Sequence, residues 1–490
     1  MTKQTYIAGV EVDTRHWIGG ERVASTHRFS DCSPIDGGRL ARIHAGSLRE
    51  VNSAVHAARE AFPAWSALGP QGRAPVLERI AEGIRDTLND LAQVETLDNG
   101  SLLLGNRKNV INRCAHNIEY FAKFAVELDG GVIASEMVDN HVRYEPSGIS
   151  ALVTPWNAPL MLSTWKLGPA LASGNTVVLK PPEWAPLSCS LLADITHQAG
   201  LPKGVFNVVQ GRGATTGNAL VSHNDIDRLS FTGSPKTAQR IGRAAAKSLT
   251  PVSLELGGKS PFVVFADADL DAAARTIAHQ YINAGQVCLA GTRILVERCV
   301  GEVLLDKVKS ATAQLPVGDP RELSTRIGPL IHPVQHRRVC GFVERALDAG
   351  AEVLFGAEPH PAGALFYSPT LLANVNPSAE IFQQEVFGPV LTWTEFEDET
   401  QAVDLANATR YALGAMVYTT DSGKAQRVAS RIVAGTVWVN CFFVRDLGAP
   451  FGGARMSGIG REGGRWSFDF FCDLKNVAIR RGSFEADEYG

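Results

Sequence analysis

From residue 149 onward, short apolar runs alternate with segments that can form helices, and no other feature limits the fold as strongly. The runs are ISALVTP, NTVVLKPP, FNVVQG and RLSFTGS, and the alternation resumes after residue 256 with PFVVFADAD, TRILVE and TVWVN. Strands separated by helices pair in parallel, with helices on both faces of the sheet. The pattern therefore predicts an α/β protein with two doubly wound parallel-sheet domains.

We expect the boundary between the two domains near Gly257–Gly258, where the alternation restarts. The first domain then comprises residues 1–125 and 147–256, and the second comprises residues 257–465. Residues 126–146 and 466–490 contain two segments that look like strands lying outside both sheets. A chain of 490 residues is too long for a single hydrophobic core, which agrees with this division.

Composition excludes several classes of protein. A net charge of −4 gives no general attraction to nucleic acid or to an anionic membrane surface. The eight cysteines are scattered without a CxxC grouping, which argues against a disulfide scaffold or a zinc site and favours reduced thiols in the cytoplasm. The N-terminal segment has no apolar core, so no secretory signal is expected. The uncharged stretch 147–165 contains Pro155 and Pro159, and we interpret it as a buried strand, a loop and a helix rather than a membrane span.

Two segments match dinucleotide-binding fingerprints only in part. GIGREG, beginning at Gly458, fits the glycine spacing but does not follow an apolar strand. GRGATTG, beginning at Gly211, follows a strand but has one residue too many. Because the strand and the turn give such a motif its meaning, neither match identifies a phosphate site by itself.

Polar or glycine-rich motifs follow most of the predicted strands. In chain order they are TPWNAP (154–159), KPPEWAP (180–186), FTGS (231–234), LELGGKSP (254–261), NAGQVCLAGTR (283–293), EVFGPV (385–390) and PFGGARMSGIGRE (450–462). The carboxyl ends of parallel strands are where open α/β sheets bind ligands. Lys180 and Glu183 could hold ribose hydroxyls there, although a surface salt bridge would explain that pair equally well.

Taken together, the order and spacing of these motifs resemble the aldehyde dehydrogenase superfamily from about residue 15 to the C-terminus. The resemblance implies that Cys288 is the nucleophile, which attacks the aldehyde and forms a thiohemiacetal that can give up a hydride. It implies that Glu255 is the general base for hydrolysis of the thioester. Asn157 and the backbone N–H of Cys288 would form the oxyanion hole, where one donor contributes about 3 kcal/mol.

The same resemblance implies the cofactor residues and the domain roles. The implied cofactor ligands are Trp156, Lys180, Glu183, Gly233, Ser234, Glu385 and Phe387. Glu183 favours NAD over NADP, since a carboxylate suits two ribose hydroxyls and repels a 2′-phosphate. The first domain would bind NAD, the second would be catalytic, and the outlying strands would assemble a homodimer or homotetramer. No metal, nucleic-acid or membrane partner is implied.

Within the superfamily, NAPLMLSTWK and GIGREGGRWSFDF most resemble the hydroxymuconic-type semialdehyde dehydrogenases, which oxidise acidic products of aromatic ring cleavage. Arg113 and Arg445 would bind the substrate carboxylate, with Cys441 and Phe443 lining the channel. Gly448 stands where that group has a second arginine in RDLRxPFGG. The loss of this arginine weakens carboxylate recognition by about 1.5–3 kcal/mol and opens space for a bulkier, aromatic aldehyde.

Three alternatives remain open from the sequence. The first is an aldehyde dehydrogenase for benzaldehyde-type substrates. The second is a cysteine esterase that uses Cys288 and Glu255 without a cofactor, although it would not need the implied cofactor ligands. The third is a silent structural relative, which would have no reason to keep Cys288, Glu255 and Asn157 together. Retention of Glu255 also disfavours a CoA-acylating enzyme.

Overall fold

The computed structural model describes residues 5–482, so residues 483–490 of the predicted outlying segment lie outside the described part of the chain. Within it the strands are β1 (Tyr6–Ile7), β2 (Val10–Glu11), β3 (His16–Ile18), β4 (Glu21–Val23), β5 (Arg28–Cys32), β6 (Arg39–His44), β7 (Val132–Ala134), β8 (Val138–Pro146), β9 (Ile149–Val153), β10 (Thr176–Lys180), β11 (Phe206–Val208), β12 (Arg228–Gly233), β13 (Val252–Leu256), β14 (Pro261–Val264), β15 (Arg293–Glu297), β16 (Glu352–Phe355), β17 (Thr370–Ala373), β18 (Val390–Phe396), β19 (Tyr411–Ala412), β20 (Gly414–Tyr418), β21 (Thr436–Val439), β22 (Ala454–Arg455), β23 (Gly458–Ile459) and β24 (Cys472–Arg480).

The α-helices of the same residues are α1 (Leu48–Ala67), α2 (Gly69–Asp86), α3 (Leu88–Asn99), α4 (Leu103–Gly105), α5 (Ile111–Glu127), α6 (Pro159–Ala172), α7 (Leu187–Gln198), α8 (Asn218–Val221), α9 (Pro235–Ala245), α10 (Leu270–His279), α11 (Gly301–Ala313), α12 (Pro333–Asp348), α13 (Glu380–Gln383), α14 (Glu399–Asn407), α15 (Ser422–Arg431) and α16 (Gly464–Phe471). Short 3-10 or π-helical turns cover Asn106–Val110, Gly213–Gly217, Ile282–Gly285 and Arg298–Val300.

The first large sheet has the strand order β23-β13-β12-β9-β10-β11-β3-β4. Strands β13, β12, β9, β10 and β11 are parallel, while β23 and β3 join antiparallel at the two sides. Strand β10 is buried along its whole length because helices cover both faces of the sheet. Burial on both sides explains why the central strands appear in the sequence as unbroken apolar runs.

The second large sheet has the strand order β16-β17-β18-β15-β14-β20-β21 and is parallel except for β16. Hydrophobic clusters pack on both of its faces as well. The predicted α/β class with two parallel-sheet domains is therefore confirmed. The chain passes from the first sheet to the second between Leu256 and Pro261, which is where we propose the domain boundary. The chain returns to the first sheet at β23, which pairs with β13 and brings the residues after 459 next to that sheet.

A third, antiparallel sheet has the order β24-β8-β7 and projects from both large sheets. Several of its apolar side chains are at least half exposed, namely Val132, Ile133, Leu474 and Ile479. Between residues 5 and 482, no helix is long and apolar enough to cross a bilayer.

Candidate active site

The first sheet brings four predicted motifs to one edge, because its central strands run in the same direction. Trp156 and Asn157 follow the end of β9, and Glu183 follows the end of β10. Ser234 follows β12 and caps α9 by accepting a hydrogen bond from the N–H of Thr237. Glu255 is the second-to-last residue of β13, which pairs with β12 in the sheet. Motifs separated by up to a hundred residues thus become neighbours.

Cys288 lies in a loop of the second domain that faces this edge. The loop begins with a tight turn in which Asn283 and Ala284 have φ of 55° and 52°, values rarely adopted by residues other than glycine. Asn157 links the two domains here, since its side-chain amide donates to the carbonyl of Gln286 at 3.0 Å. Asn283 in turn donates to the carbonyl of Asn157 at 3.3 Å. The asparagine amide is therefore held beside the thiol loop.

The thiol is shared by two cavities. The inner cavity, of about 240 Å³, contains Glu255 and Arg445 in its walls. The outer cavity, of about 460 Å³, contains Trp156 and Glu385. Both are lined by Asn157, Leu162, Thr232, Leu256 and Cys288. A molecule in either cavity can therefore approach Cys288 from its own side.

Cys288 is not a pre-ionised thiolate in this arrangement. The pKa of the thiol is raised to about 12, mainly by burial, with Glu385 and Glu255 adding to the shift and Arg445 opposing it. The sequence left open whether a low-pKa environment or a separate base would activate the thiol. The structure favours a separate base.

Glu255 is the carboxylate of the inner cavity. It is 4% exposed, and neither of its oxygens has a hydrogen-bond partner among the described residues. Burial raises its pKa well above the ordinary value, Glu462 adds to the effect, and Lys166 opposes it. Burial thus favours the protonated form of this carboxyl, which must be ionised before it can act as a base.

Glu462 and Lys166 form a buried ion pair beside Glu255 that the sequence reasoning missed. Lys166 Nζ lies 2.6 Å from one Glu462 oxygen, and the indole N–H of Trp165 donates to the other oxygen at 2.5 Å. Ser230 also donates to Glu462, at 3.2 Å. The signals were present but weak, because Lys166 ends the uncharged stretch and Glu462 is the last residue of the glycine-rich motif.

Five of the seven predicted cofactor residues line the outer cavity: Trp156, Gly233, Ser234, Glu385 and Phe387. Helix α12 fixes two of them, since Gln335 donates to the carbonyl of Phe387 and Arg338 donates to the carbonyl of Glu385, both at 2.7 Å. The ring of Phe387 stands edge-on to Trp156 at 5.2 Å. These contacts hold the two walls of the cavity at a set separation.

Lys180 and Glu183 lie outside the outer cavity and beside the turn Gly213–Gly217. The backbone N–H of Gly213 donates to Glu183 at 2.6 Å. Burial lowers the pKa of Lys180 to about 8, and Glu183 opposes the shift. The GRGATTG segment therefore contacts the predicted ribose ligands. By contrast, Gly458 of the GIGREG segment pairs with Glu255 in β13.

Arg445 and Phe443 line the inner cavity, whereas Arg113 and Cys441 do not. The Arg445 guanidinium lies 3.8 Å from the ring centre of Phe451 and 5.1 Å from that of Trp165. Arg113 stands directly behind it, 6.0 Å from the Trp165 ring, and donates to the Arg445 carbonyl at 3.4 Å. Cys441 packs instead against the hydrophobic cluster of the second domain.

Three further features describe the rest of the site. Phe443 is 46% exposed at the cavity rim, whereas Phe442 packs edge-on against Trp438. A Cβ at Gly448 would lie 3.0 Å from the Tyr120 hydroxyl and 3.2 Å from Asp446 Oδ1, and Gly448 lines neither cavity, so the expected extra space for a bulky aldehyde is not found there. All eight cysteines are free, and no group of three possible metal ligands is assembled among the residues from 5 to 482.

Comparison with known proteins gives concordant matches. The model of the Aldehyde dehydrogenase family matches residues 22–477. The 2-aminomuconic semialdehyde dehydrogenase of Danio rerio is 39% identical, over 95% of this chain and 98% of its own length. The 2-hydroxymuconic semialdehyde dehydrogenase of Pseudomonas sp. (strain CF600) is 39% identical, over 96% and 99%. The indole-3-acetaldehyde dehydrogenase AldA of P. syringae, solved in complex with NAD+ and IAA, superposes with a TM-score of 0.95 at 37% identity, covering 97% and 98% of the two chains.

Proposed function

The chain belongs to the aldehyde dehydrogenase family, and on that premise we propose that it oxidises an acidic semialdehyde derived from aromatic compounds, with NAD as the oxidant. The observation that supports this proposal most directly is the shared position of Cys288. The thiol lines both an inner cavity with an arginine in its wall and a larger outer cavity suited to a dinucleotide. Aldehyde and cofactor can thus reach the sulfur from opposite sides.

In the first half-reaction, Cys288 Sγ attacks the carbonyl carbon of the aldehyde and forms a thiohemiacetal. The amide of Asn157, held beside the thiol loop, donates to the oxygen as negative charge develops on it. A bound nicotinamide supplies the acceptor for the hydride that leaves this carbon. Because the thiol is protonated at rest, its proton must pass to a base as the sulfur attacks; we assign that role to solvent in the cavities and reserve Glu255 for the second half-reaction.

In the second half-reaction, Glu255 removes a proton from the water that attacks the thioester, and the carboxylic acid product leaves Cys288 free. The buried, partnerless carboxyl of Glu255 fits this task, because a raised pKa makes it a stronger base once it is ionised. The cation of Lys166 supports ionisation, whereas Glu462 opposes it.

The outer cavity has features that fit NAD. Ser234 caps helix α9, and the positive end of the helix dipole there favours a pyrophosphate. Glu183 is fixed by the Gly213 N–H at the position assigned to the adenosine ribose, and its charge supports NAD over NADP. Glu385 and Phe387 would contact the nicotinamide ribose and ring.

The choice of an acidic semialdehyde rests on Arg445 and Arg113. The guanidinium of Arg445 in the cavity wall is a specific partner for a carboxylate. The aromatic walls, with Trp165, Phe451 and Phe443, also support a second candidate, a benzaldehyde-type substrate.

The proposal includes a homodimer or homotetramer in the cytoplasm. The exposed apolar residues of the third sheet and its unpaired edge strands support assembly, since a second subunit would cover them. The free cysteines support a reducing compartment.

The test is NADH formation with acidic semialdehydes, benzaldehyde and linear aldehydes, in the wild-type enzyme and in Cys288→Ala. We expect acidic semialdehydes to give the highest kcat/KM and Cys288→Ala to abolish turnover while NAD binding persists. Substantial turnover by Cys288→Ala would remove the proposed chemistry. A preference for benzaldehyde would keep the chemistry and select the second substrate candidate.

A further inference from the structure

Trp184 and His332 form a face-to-face ring pair that joins the two large sheets. Their ring centres lie 4.3 Å apart and their planes differ by only 3°. Trp184 follows the end of β10 in the first sheet. His332 precedes helix α12, which packs on the hydrophobic cluster of the second sheet through Val339 and Phe342. The stack is therefore a contact between the two halves of the molecule, of a kind that aromatic rings favour.

The stack belongs to a closed circuit of contacts that connects the walls of the outer cavity. The ring of Trp184 lies 6.0 Å from that of Trp156, which lies 5.2 Å from the ring of Phe387. The carbonyl of Phe387 accepts a hydrogen bond from Gln335 of α12 at 2.7 Å. His332, at the start of the same helix, completes the circuit. The other four residues all line the outer cavity.

His332 is itself held in one orientation. Its Nδ1 accepts a hydrogen bond from the N–H of Val334 at 3.1 Å and so caps α12. Burial lowers the pKa of His332, Arg337 adds to the shift and Glu183 opposes it, so the ring is neutral at pH 8. His332 does not line the outer cavity. It can therefore act on a molecule bound there only through Trp184.

We propose that His332 is a positioning residue for the cofactor: by stacking on Trp184 it fixes the indole as a wall of the outer cavity and raises the affinity for the dinucleotide. The inference rests on the proposed function, since it takes NAD as the occupant of this cavity. Without the stack, the indole loses its parallel partner and gains freedom to move. Binding of the cofactor then has to order the indole, at a cost in entropy that the stack removes in advance.

The experiment measures the Kd of NADH by fluorescence titration at pH 8 without any aldehyde, after thermal unfolding has shown that each variant is folded. His332→Asn removes the ring but can still cap α12, because asparagine accepts the same kind of hydrogen bond. We expect it to raise Kd by about three- to tenfold, the effect of losing one stacked pair. His332→Phe keeps a flat ring without the cap and should recover most of the affinity. His56→Asn, the same change at an exposed site in α1, is the matched control and should leave Kd unchanged.

A double-mutant cycle tests the ring pair itself. Trp184→Leu should raise Kd by itself, and adding His332→Asn to it should cause no further rise. In turnover, His332→Asn should raise KM for NAD without lowering kcat at saturating NAD, since the reacting groups are untouched.

Three results would overturn the role of the stack: an unchanged Kd in His332→Asn, additive effects in the double variant, or a Kd for His332→Phe as high as that for His332→Asn. A fall in kcat with an unchanged KM would overturn it as well. Failure of the proposed function looks different, because the wild-type enzyme itself would then not bind NADH. Since no aldehyde is present in the titration, the identity of the substrate does not affect these results.

Discussion

Replacing Arg113 with alanine is the sharpest test of how the enzyme recognises its substrate. Arg113 makes only a long 3.4 Å hydrogen bond to the carbonyl of Arg445, and none of the carboxylates described in the structure forms an ion pair with it. Burial lowers the pKa of this guanidinium and Asp446 opposes the shift, so the charge is present but weakly compensated. Arg113 does not line the inner cavity, so it can offer a charged hydrogen bond, contributing about 1.5–3 kcal/mol, only to a substrate carboxylate that reaches past Arg445.

That free energy corresponds to a change of about tenfold to a hundredfold in the binding of a carboxylate. We therefore expect Arg113→Ala to raise KM for acidic semialdehydes by this factor and to change KM for benzaldehyde very little. The assay is initial-rate NADH formation at saturating NAD, with thermal unfolding as a check on folding. Lys123→Ala is the matched control, because Lys123 is an exposed cation of the same helix that pairs with Glu119.

Two results would refute this reasoning. Equal damage to acidic and neutral substrates would mean that Arg113 supports the structure of the site, through Trp165 and Arg445, rather than the substrate. A wild-type enzyme that prefers benzaldehyde to every acidic aldehyde would mean that the apolar wall decides specificity.

Three further predictions concern Glu255, Gly448 and the assembly of subunits through the third sheet. Glu255→Gln should give one burst of NADH and then trap a thioacyl group on Cys288, visible by intact-mass spectrometry; absence of both would mean that Glu255 acts earlier, on the thiol. Gly448→Arg should lower KM for small acidic aldehydes by up to about tenfold and exclude bulky ones, and unchanged selectivity in competition assays would contradict it. The gain should stay small, because Asp446 lies within reach of the new side chain. Light scattering should find a dimer or tetramer at micromolar concentration, and a fully active monomer would contradict the role given to the third sheet.

The sequence predicts the fold well because each buried central strand is a continuous apolar run that can be recognised from neighbouring residues alone. Residues 176–180 are apolar except at the ends, and every one of them is buried in the sheet. Parallel pairing then places all strand ends at one edge, so the positions of Asn157, Ser234 and Glu255 follow from topology alone. The thiol loop could be found in the same way, from its motif and its place before a strand.

The charged residues that surround the carboxylate of Glu255 could not be predicted in this way. Lys166 and Glu462 come from distant parts of the chain, and only the return of the backbone at β23 brings them together. Arg113 and Cys441 show a second limit of prediction from sequence, which concerns the direction of a side chain. Their segments border the inner cavity through Val110 and Phe443, but the direction of each side chain depends on packing against Trp165 or the second core. Local patterns carry no information on that direction.

The glycine-rich motifs find a physical explanation in the carboxylates that pack on them. Gly257 lies against the carboxylate of Glu385, and a Cβ at Gly452 would lie 2.6 Å from Oε1 of Glu255. A side chain at Gly257 would displace the carboxylate of Glu385, and one at Gly452 would displace that of Glu255. These glycines therefore leave space for the two carboxylates and do not form a phosphate-binding loop. Burying two acids beside one thiol raises all three pKa values and so favours the protonated form of each group. The site therefore stores protons in the groups that must later lose them, and a change of charge at any one group alters the reactivity of the others.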